Sequence, residues 1–162
     1  MTTPDAMFDL DPHLIAHTRH WQLRYRRDAR YPGYLLLAAR QPVADLHELD
    51  AAALAALGPA LQTAERLLQA AYAPCKVMHY KLGFSSGFHC HFHVVPVTEA
   101  LLHAIVAHPA YSDTPDGNDA ILYLSRAYCE RDLSPAEAAA QAAEITRLRT
   151  LAVPYCTAPW QQ

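Results

Sequence analysis

Three histidines lie at every second position of one short stretch, and imidazoles at this spacing could form a catalytic or binding site. His89, His91 and His93 alternate with apolar residues, and a valine pair follows them. Two residues is the side-chain repeat of a β-strand, so the spacing predicts that the three imidazoles share one face. The apolar neighbours would then face a core, and the imidazoles would face a site or solvent.

Two roles for such a strand involve no covalent catalysis. The histidines could simply lie on a half-exposed surface. They could also bind zinc, because a His-x-His pair supplies two ligands at about 2 Å. Residues i and i+4 of a strand lie roughly 13 Å apart, so a further ligand would come from elsewhere, such as His79 or Asp28.

The third role is nucleophilic catalysis. A neutral imidazole is a good nucleophile near neutral pH, where the ordinary histidine pKa of about 6.5 leaves it mostly unprotonated. Its attacking nitrogen must be free, so the other nitrogen must donate a hydrogen bond that fixes the tautomer. The preceding loop, residues 83–87, offers backbone N–H groups and the hydroxyls of Ser85 and Ser86. Such donors suit an anionic oxygen, phosphate above all.

The stretch from His89 to Val95 fits the pattern His-φ-His-φ-His-φ-φ, where φ is apolar. It resembles the signature of the histidine-triad (HIT) superfamily of nucleotide hydrolases and transferases. Residues 28–37 resemble the family's strand–turn–strand, which ends in Pro-Gly-His and an apolar run. We place the resemblance over about residues 20–97.

The resemblance implies a role for each matched residue. His91 matches the nucleophile that attacks the α-phosphorus of a nucleotide and forms a nucleotidyl-histidine, which water then cleaves. His93 matches the histidine that hydrogen-bonds phosphate oxygens, and the backbone carbonyl of His89 would orient the nucleophile. Asp28 matches the position that binds ribose hydroxyls. The implied activity is that of a nucleotide phosphohydrolase or phosphoramidase, with dinucleoside polyphosphates among the candidate substrates.

Two positions depart from the family pattern. Tyr34 stands where a fourth histidine follows Pro-Gly, and tyrosine keeps a donor but is not a base at neutral pH. The loop before the triad carries Phe84, Ser85 and Ser86 and lacks the amide residue of many members, so we expect the two serines to contact substrate. These departures leave two alternatives open, a catalytically decayed nucleotide-binding module and a metal-binding protein that uses the same histidines.

Residues 83–87 also satisfy G-x-S-x-G, the nucleophile-elbow pattern of α/β-hydrolases, with Ser85 as the nucleophile. That elbow requires a helix directly after it. The residues that follow alternate as in a strand, so the pattern disfavours a serine hydrolase.

The amino-acid composition limits which other classes of function are compatible with the sequence. The 162 residues are 52% hydrophobic and carry a net charge of −3 without a lysine or arginine run. We therefore expect one domain, a small-molecule nucleotide substrate, and neither nucleic-acid nor membrane binding. The four cysteines form no CxxC pair, and the N-terminus lacks an export signal, so we predict a cytoplasmic protein with reduced thiols. The resemblance further implies a homodimer that needs no cofactor and no metal.

The hydrophobic patterns predict an α+β fold, with a long helix packed on an antiparallel sheet and extra N- and C-terminal helices. Residues 1–162 would form a single domain, with a core at about 20–97 and a C-terminal helical extension at 98–162. Asp11-Pro12 predicts a short first helix, and the buried-strand pattern predicts a short strand at 121–124. The remaining expected elements are strands at 21–28, 34–39, 76–82 and 88–97, and helices at 50–72, 99–108 and 134–148.

The predicted first helix would carry His13, His17 and His20 at spacings that could bind a metal, although a solvated face is the more common outcome for such a pattern. Gly58-Pro59 predicts a kink in the long helix, or two abutting helices. The apolar stripe of that helix is predicted at residues 54, 57, 61, 64 and 68.

Overall fold

A computed structural model describes residues 11–84 and 86–162, and these residues form a mixed α+β fold as predicted. The five strands are β1 (Leu14–His17), β2 (Trp21–Tyr25), β3 (Leu35–Ala39), β4 (Lys76–Tyr80) and β5 (His91–Val97). The four α-helices are α1 (Ala51–Tyr72), α2 (Glu99–Val106), α3 (Gly117–Tyr128) and α4 (Pro135–Ala152), and a short 3₁₀ turn spans Leu46–Glu48.

The strands form one antiparallel sheet in the order β1-β2-β3-β5-β4. The histidine strand β5 therefore lies between β3 and β4. Its register sets His93 beside Leu36 on β3 and beside Tyr80 on β4. Directly paired residues point to the same face, so β3 and β4 both contribute side chains around His93.

Helix α1 covers the sheet face opposite the histidines. The indole of Trp21 donates to the carbonyl of Ala53 at 2.9 Å. Pro59 lies inside this helix, which runs unbroken to Tyr72. The predicted stripe is only partly correct: Leu54 is 41% exposed, and the buried positions are 53, 60, 64, 67 and 68. Several of these are alanines, which let the helix approach the sheet closely.

The predicted N-terminal helix is wrong, because residues 14–17 form β1. This strand pairs with β2, and His17 exchanges two backbone hydrogen bonds with Gln161 at 2.8 and 2.7 Å. Ile15 and Ala16 are both buried. The chain's C-terminal end thus supplies a partner that the local Asp-Pro signal cannot reveal, and the helical histidine cluster does not form.

The predicted strand at 121–124 is also wrong, because these residues lie in α3. Asp116 caps this helix by accepting from the amides of Asn118 and Asp119 at 2.8 and 3.1 Å. Ala120 and Leu124 are buried one helical turn apart. A short apolar run does not distinguish a helix from a strand, and here packing of one helical face decided the outcome.

Two contacts fix the turn that leads into β3. The side-chain amide of Gln141 on α4 donates to the carbonyls of Arg26, Arg27 and Ala29 at 3.0–3.2 Å. The Tyr31 hydroxyl donates to the carbonyl of Pro96 at 2.8 Å. Helix α4 thereby holds the segment that carries Asp28 and Tyr34.

Pro96 lies inside β5, one residue before its end at Val97. The last β3 residue opposite this strand is Leu35, which pairs with Val94. Pro96 therefore lies beyond the end of β3, and its missing N–H costs no hydrogen bond to that strand.

The described cysteines are all free thiols; Cys75 is exposed and the other three are buried. Among the described residues, no helix is both long enough and apolar enough to span a bilayer.

Candidate active site

The alternation around the triad occurs as predicted. The rings of His91 and His93 lie on one face of β5 with centroids 5.2 Å apart, whereas His89 lies two residues before the strand begins. Phe92 points to the other face and packs against Trp21 with a centroid distance of 6.3 Å. The side chain of His91 is half-buried and that of His93 is buried.

His91 has a fixed tautomer. Its Nδ1 lies 2.8 Å from the backbone carbonyl oxygen of His89. A carbonyl oxygen only accepts, so Nδ1 carries the proton and Nε2 carries the lone pair. The imidazole therefore presents an unprotonated Nε2, the arrangement that a nucleophilic histidine requires.

The segment that supplies this carbonyl is itself held in place. The His89 ring donates from Nδ1 to the carbonyl of Ala39 at 3.0 Å. The next residue, Cys90, donates its amide to the carbonyl of Val43 at 2.7 Å, and its carbonyl accepts from the amide of Ala39 at 2.8 Å. These three bonds tie the approach to β5 to the end of β3.

His93 lies in a dry, aromatic environment. Tyr80 stacks on it with a centroid distance of 4.7 Å and an interplanar angle of 2°. The hydroxyl of Tyr34 lies 3.0 Å from its Nδ1. Burial, reinforced by the neighbouring His91 and by the positive charge of Arg26, lowers the pKa of His93 to about 3. His93 is therefore uncharged near neutral pH.

Tyr34 is fully buried beside His93, and Arg26 fixes its position. The Arg26 guanidinium donates from Nη1 to the Tyr34 hydroxyl at 2.8 Å and lies 4.7 Å from the centre of the Tyr34 ring. Burial raises the pKa of Tyr34, so the phenol keeps its proton at neutral pH.

Asp28 lies on the far side of Arg26. Its two oxygens accept from Nε and Nη2 of Arg26 at 2.7 and 3.2 Å, and one of them also accepts from the amide of Glu130 at 3.3 Å. Partial burial tends to raise the pKa of Asp28, but the hydrogen bonds and charge of Arg26 outweigh it and lower the pKa. Contact of Asp28 with ribose hydroxyls stays a prediction.

The loop before β5 exposes two aromatic side chains. Phe84 and Phe88 are both exposed, and the Phe88 ring lies 6.0 Å from the His91 ring. Ser86 is exposed in the same loop, whereas Ser85 lies outside the described residues. Substrate contact by either serine stays a prediction.

Sequence reasoning missed two members of this site. Arg26 carried no motif, although it stands two residues before Asp28, the spacing that places two strand residues on one face. Tyr80 carries no motif on its strand, and only its register opposite His93 shows its place in the site.

Comparison with known proteins identifies the family. The family model of the HIT domain matches residues 8–100, which is more than half of the chain. The chain belongs to the HIT family. A search of the curated proteins found no match.

Solved HIT structures share this fold at low sequence identity. A zinc-bound histidine triad family protein from Mycobacterium smegmatis is 14% identical, with a TM-score of 0.59 over 91% of this chain and 88% of its own. A hypothetical histidine triad nucleotide-binding protein from Sulfolobus tokodaii is 11% identical, with a TM-score of 0.57 over 89% and 87%. The C. elegans NitFhit protein is 14% identical, with a TM-score of 0.59 over 86% of this chain, which spans only 27% of NitFhit.

A metal site was the competing interpretation of the triad. In residues 11–84 and 86–162, no three histidine, cysteine or acidic side chains come together as a metal site. The Nδ1 atoms of the three triad histidines contact the carbonyls of Ala39 and His89 and the Tyr34 hydroxyl.

Proposed function

We propose that this HIT protein is a nucleotide phosphohydrolase or phosphoramidase that works through a covalent intermediate on His91. The Nε2 lone pair attacks the α-phosphorus, and a phosphorus–nitrogen bond forms as the bond to the leaving group breaks. The leaving group departs with the electron pair. Water then attacks the same phosphorus, loses a proton to solvent and releases the nucleoside monophosphate from His91.

One observation carries the proposal, the 2.8 Å hydrogen bond from Nδ1 of His91 to the carbonyl of His89. It leaves Nε2 of this half-buried ring unprotonated and able to attack an electrophilic phosphorus. His93 supplies a neutral group beside it for phosphate oxygens. The serines of the loop and the carboxylate of Asp28 are the proposed contacts to the rest of the substrate.

The test is turnover of diadenosine tetraphosphate and adenosine 5′-phosphoramidate by the purified protein. We expect release of adenosine monophosphate from at least one of them, and loss of that activity in His91→Ala. His79→Ala is the matched control, because His79 lies on the same sheet but faces α1, with its ring 3.6 Å from Glu65. Unchanged turnover in His91→Ala would rule out the proposed nucleophile.

The intermediate can be trapped directly. A substrate labelled at the α-phosphate and quenched in alkali during turnover should leave the label on the protein, because phosphorus–nitrogen bonds survive alkali better than acid. Mass spectrometry should place the label on the peptide containing His91. Label on another residue would contradict the mechanism.

A decayed nucleotide-binding module is the second candidate. The departures at Tyr34 and in the loop at 83–88, which carries no amide side chain, favour it. A module would bind an adenine nucleotide in calorimetry without releasing product. Saturable binding combined with no turnover of either substrate would favour this candidate over the enzyme.

We also propose a cytoplasmic homodimer. Strand β4 forms one edge of the sheet, and unpaired strand edges associate readily. The resemblance assigns the contact to α1, where Leu54 is exposed. Light scattering after gel filtration should give twice 18.0 kDa. A monomeric mass at micromolar concentration would exclude the dimer, and fractionation of the source cells would test the location.

A further inference from the structure

The Tyr34 hydroxyl lies within hydrogen-bonding distance of several polar groups. It has three hydrogen-bond neighbours: Nη1 of Arg26 at 2.8 Å, Nδ1 of His93 at 3.0 Å, and the hydroxyl of Tyr80. A phenol has one proton to donate and two lone pairs with which to accept. The three contacts therefore determine which neighbour receives the proton.

Counting protons favours one arrangement. A guanidinium only donates, so Tyr34 accepts from Arg26. If Tyr80 also donates to Tyr34, then Tyr34 must donate to Nδ1 of His93, and every hydroxyl proton has an acceptor. In the reverse arrangement His93 donates to Tyr34 and Tyr34 to Tyr80. The Tyr80 proton then has no acceptor among the described residues.

The charge of Arg26 also favours donation from the Tyr34 hydroxyl to Nδ1 of His93. A cation that donates to a hydroxyl oxygen polarises the O–H bond and makes it a stronger donor to a third group. Asp28 holds the guanidinium in place through two hydrogen bonds to Nε and Nη2. The stacked Tyr80 ring keeps the imidazole of His93 in one plane.

We propose that Tyr34, which accepts hydrogen bonds from Arg26 and Tyr80, donates its own proton to Nδ1 of His93. This hydrogen bond holds His93 as the Nε2–H tautomer. His93 is then a neutral hydrogen-bond donor beside the unprotonated Nε2 of His91. Tyr34 and Arg26 are then positioning residues for the triad. Asp28 acts through Arg26. The consequence for catalysis rests on the proposed function, whereas the tautomer itself does not.

The tautomer can be measured without a substrate. Protein carrying ¹⁵N-labelled histidine is recorded at pH 7 in a long-range proton–nitrogen experiment, and His93→Gln identifies the signals of His93. We expect a protonated Nε2 and an unprotonated Nδ1 for His93, and the reverse for His91. A protonated Nδ1 on His93 would overturn the proposal even if the protein turned over no nucleotide.

Variants test whether the arrangement matters for turnover. Tyr34→Phe keeps the buried ring under Arg26 but removes the hydroxyl, and should lower kcat about 10- to 100-fold, the usual range for loss of a group that orients a functional histidine. KM should change little. Tyr34→His restores a ring N–H donor and should recover most of the activity.

Tyr72→Phe is the matched control. It removes a partly buried hydroxyl that donates to the carboxylate of Glu144 on α4 and not to the triad. This variant should keep wild-type kcat, and melting curves should show all three variants folded. A wild-type kcat in Tyr34→Phe, or an equal loss in Tyr72→Phe, would overturn the positioning role. An inactive wild-type protein would instead reject the proposed function, and the nitrogen spectrum alone would then test the tautomer of His93.

Discussion

The rings of His91 and His93 lie 5.2 Å apart on one face of β5, yet their Nδ1 atoms contact different chemical groups. His91 faces the backbone carbonyl of His89, which can only accept a proton. His93 faces the hydroxyl of Tyr34, which also contacts Arg26. Two histidines of the same strand therefore have different protonation environments, and the predictions below depend on that difference.

The side chains of His89 and His91 should differ sharply in importance. His89 contributes a backbone carbonyl, which remains in His89→Ala, so we expect kcat to fall by about tenfold at most through loosening of the segment. His91→Ala removes the nucleophile and should cost at least about a thousandfold. Steady-state kinetics on the same substrate compare the two. Equal losses would mean that the His89 ring takes part in the chemistry.

Stability should fall on acidification through His93. An unfolded chain protonates this histidine below its ordinary pKa of 6.5, whereas the folded protein does so only near pH 3. Between these values the unfolded state binds more protons, so stability decreases as the pH falls, by up to about 1.4 kcal/mol per pH unit. The contribution is fully present above pH 6.5. Urea unfolding at several pH values measures it.

His93→Gln should flatten this dependence between pH 6.5 and 3, although it lowers stability at pH 7. His103→Gln on the exposed part of α2 is the control and should keep the wild-type slope. The lowered pKa of Asp28 also makes stability fall on acidification, so the comparison is made on the difference between the two variants. Identical slopes would show that His93 is not held neutral.

The neutral state of His93 should also favour some leaving groups over others. Above pH 3 this imidazole is uncharged and is a poor proton donor. A phosphoanhydride releases a stable anion, whereas an amine must gain a proton before it leaves. We expect kcat/KM at pH 7 to be at least about tenfold higher for diadenosine tetraphosphate than for adenosine 5′-phosphoramidate. A preference for the phosphoramidate would contradict this account of His93.

Two glycines should respond in opposite directions to alanine. Gly33 has a φ of +79°, and an added Cβ would overlap the ring of Tyr72 and lie 3.0 Å from Pro96. Gly33→Ala should therefore destabilise the fold by at least about 3 kcal/mol, from strain and overpacking together. Gly58 lies in α1 with open space around it, so Gly58→Ala should stabilise by up to about 1 kcal/mol. Chemical denaturation of the two variants provides the measurement, and equal effects would contradict the packing described for the turn.

The local sequence pattern was sufficient to predict the histidine strand. Alternation at period two fixes which side chains share a face, whatever the strand pairs with, so His91 and His93 were predicted together. The Pro-Gly turn, the cap at Ser134 and the long helix were predictable for the same reason, since each depends on neighbours within a few residues. The two elements whose type was wrongly predicted, now β1 and α3, are short segments in which packing against distant residues decided the outcome.

The environment of the triad depended on the tertiary structure. The sequence by itself placed the imidazoles of His91 and His93 on one face, and it placed Tyr34 where the family pattern has a histidine. Only the sheet register brought Tyr80 onto His93, and only the turn held by α4 brought Arg26 against Tyr34. These contacts join residues from 8 to 112 positions apart. The burial and the charge environment of these side chains are set by tertiary packing. The spacing of residues along the chain does not encode that packing.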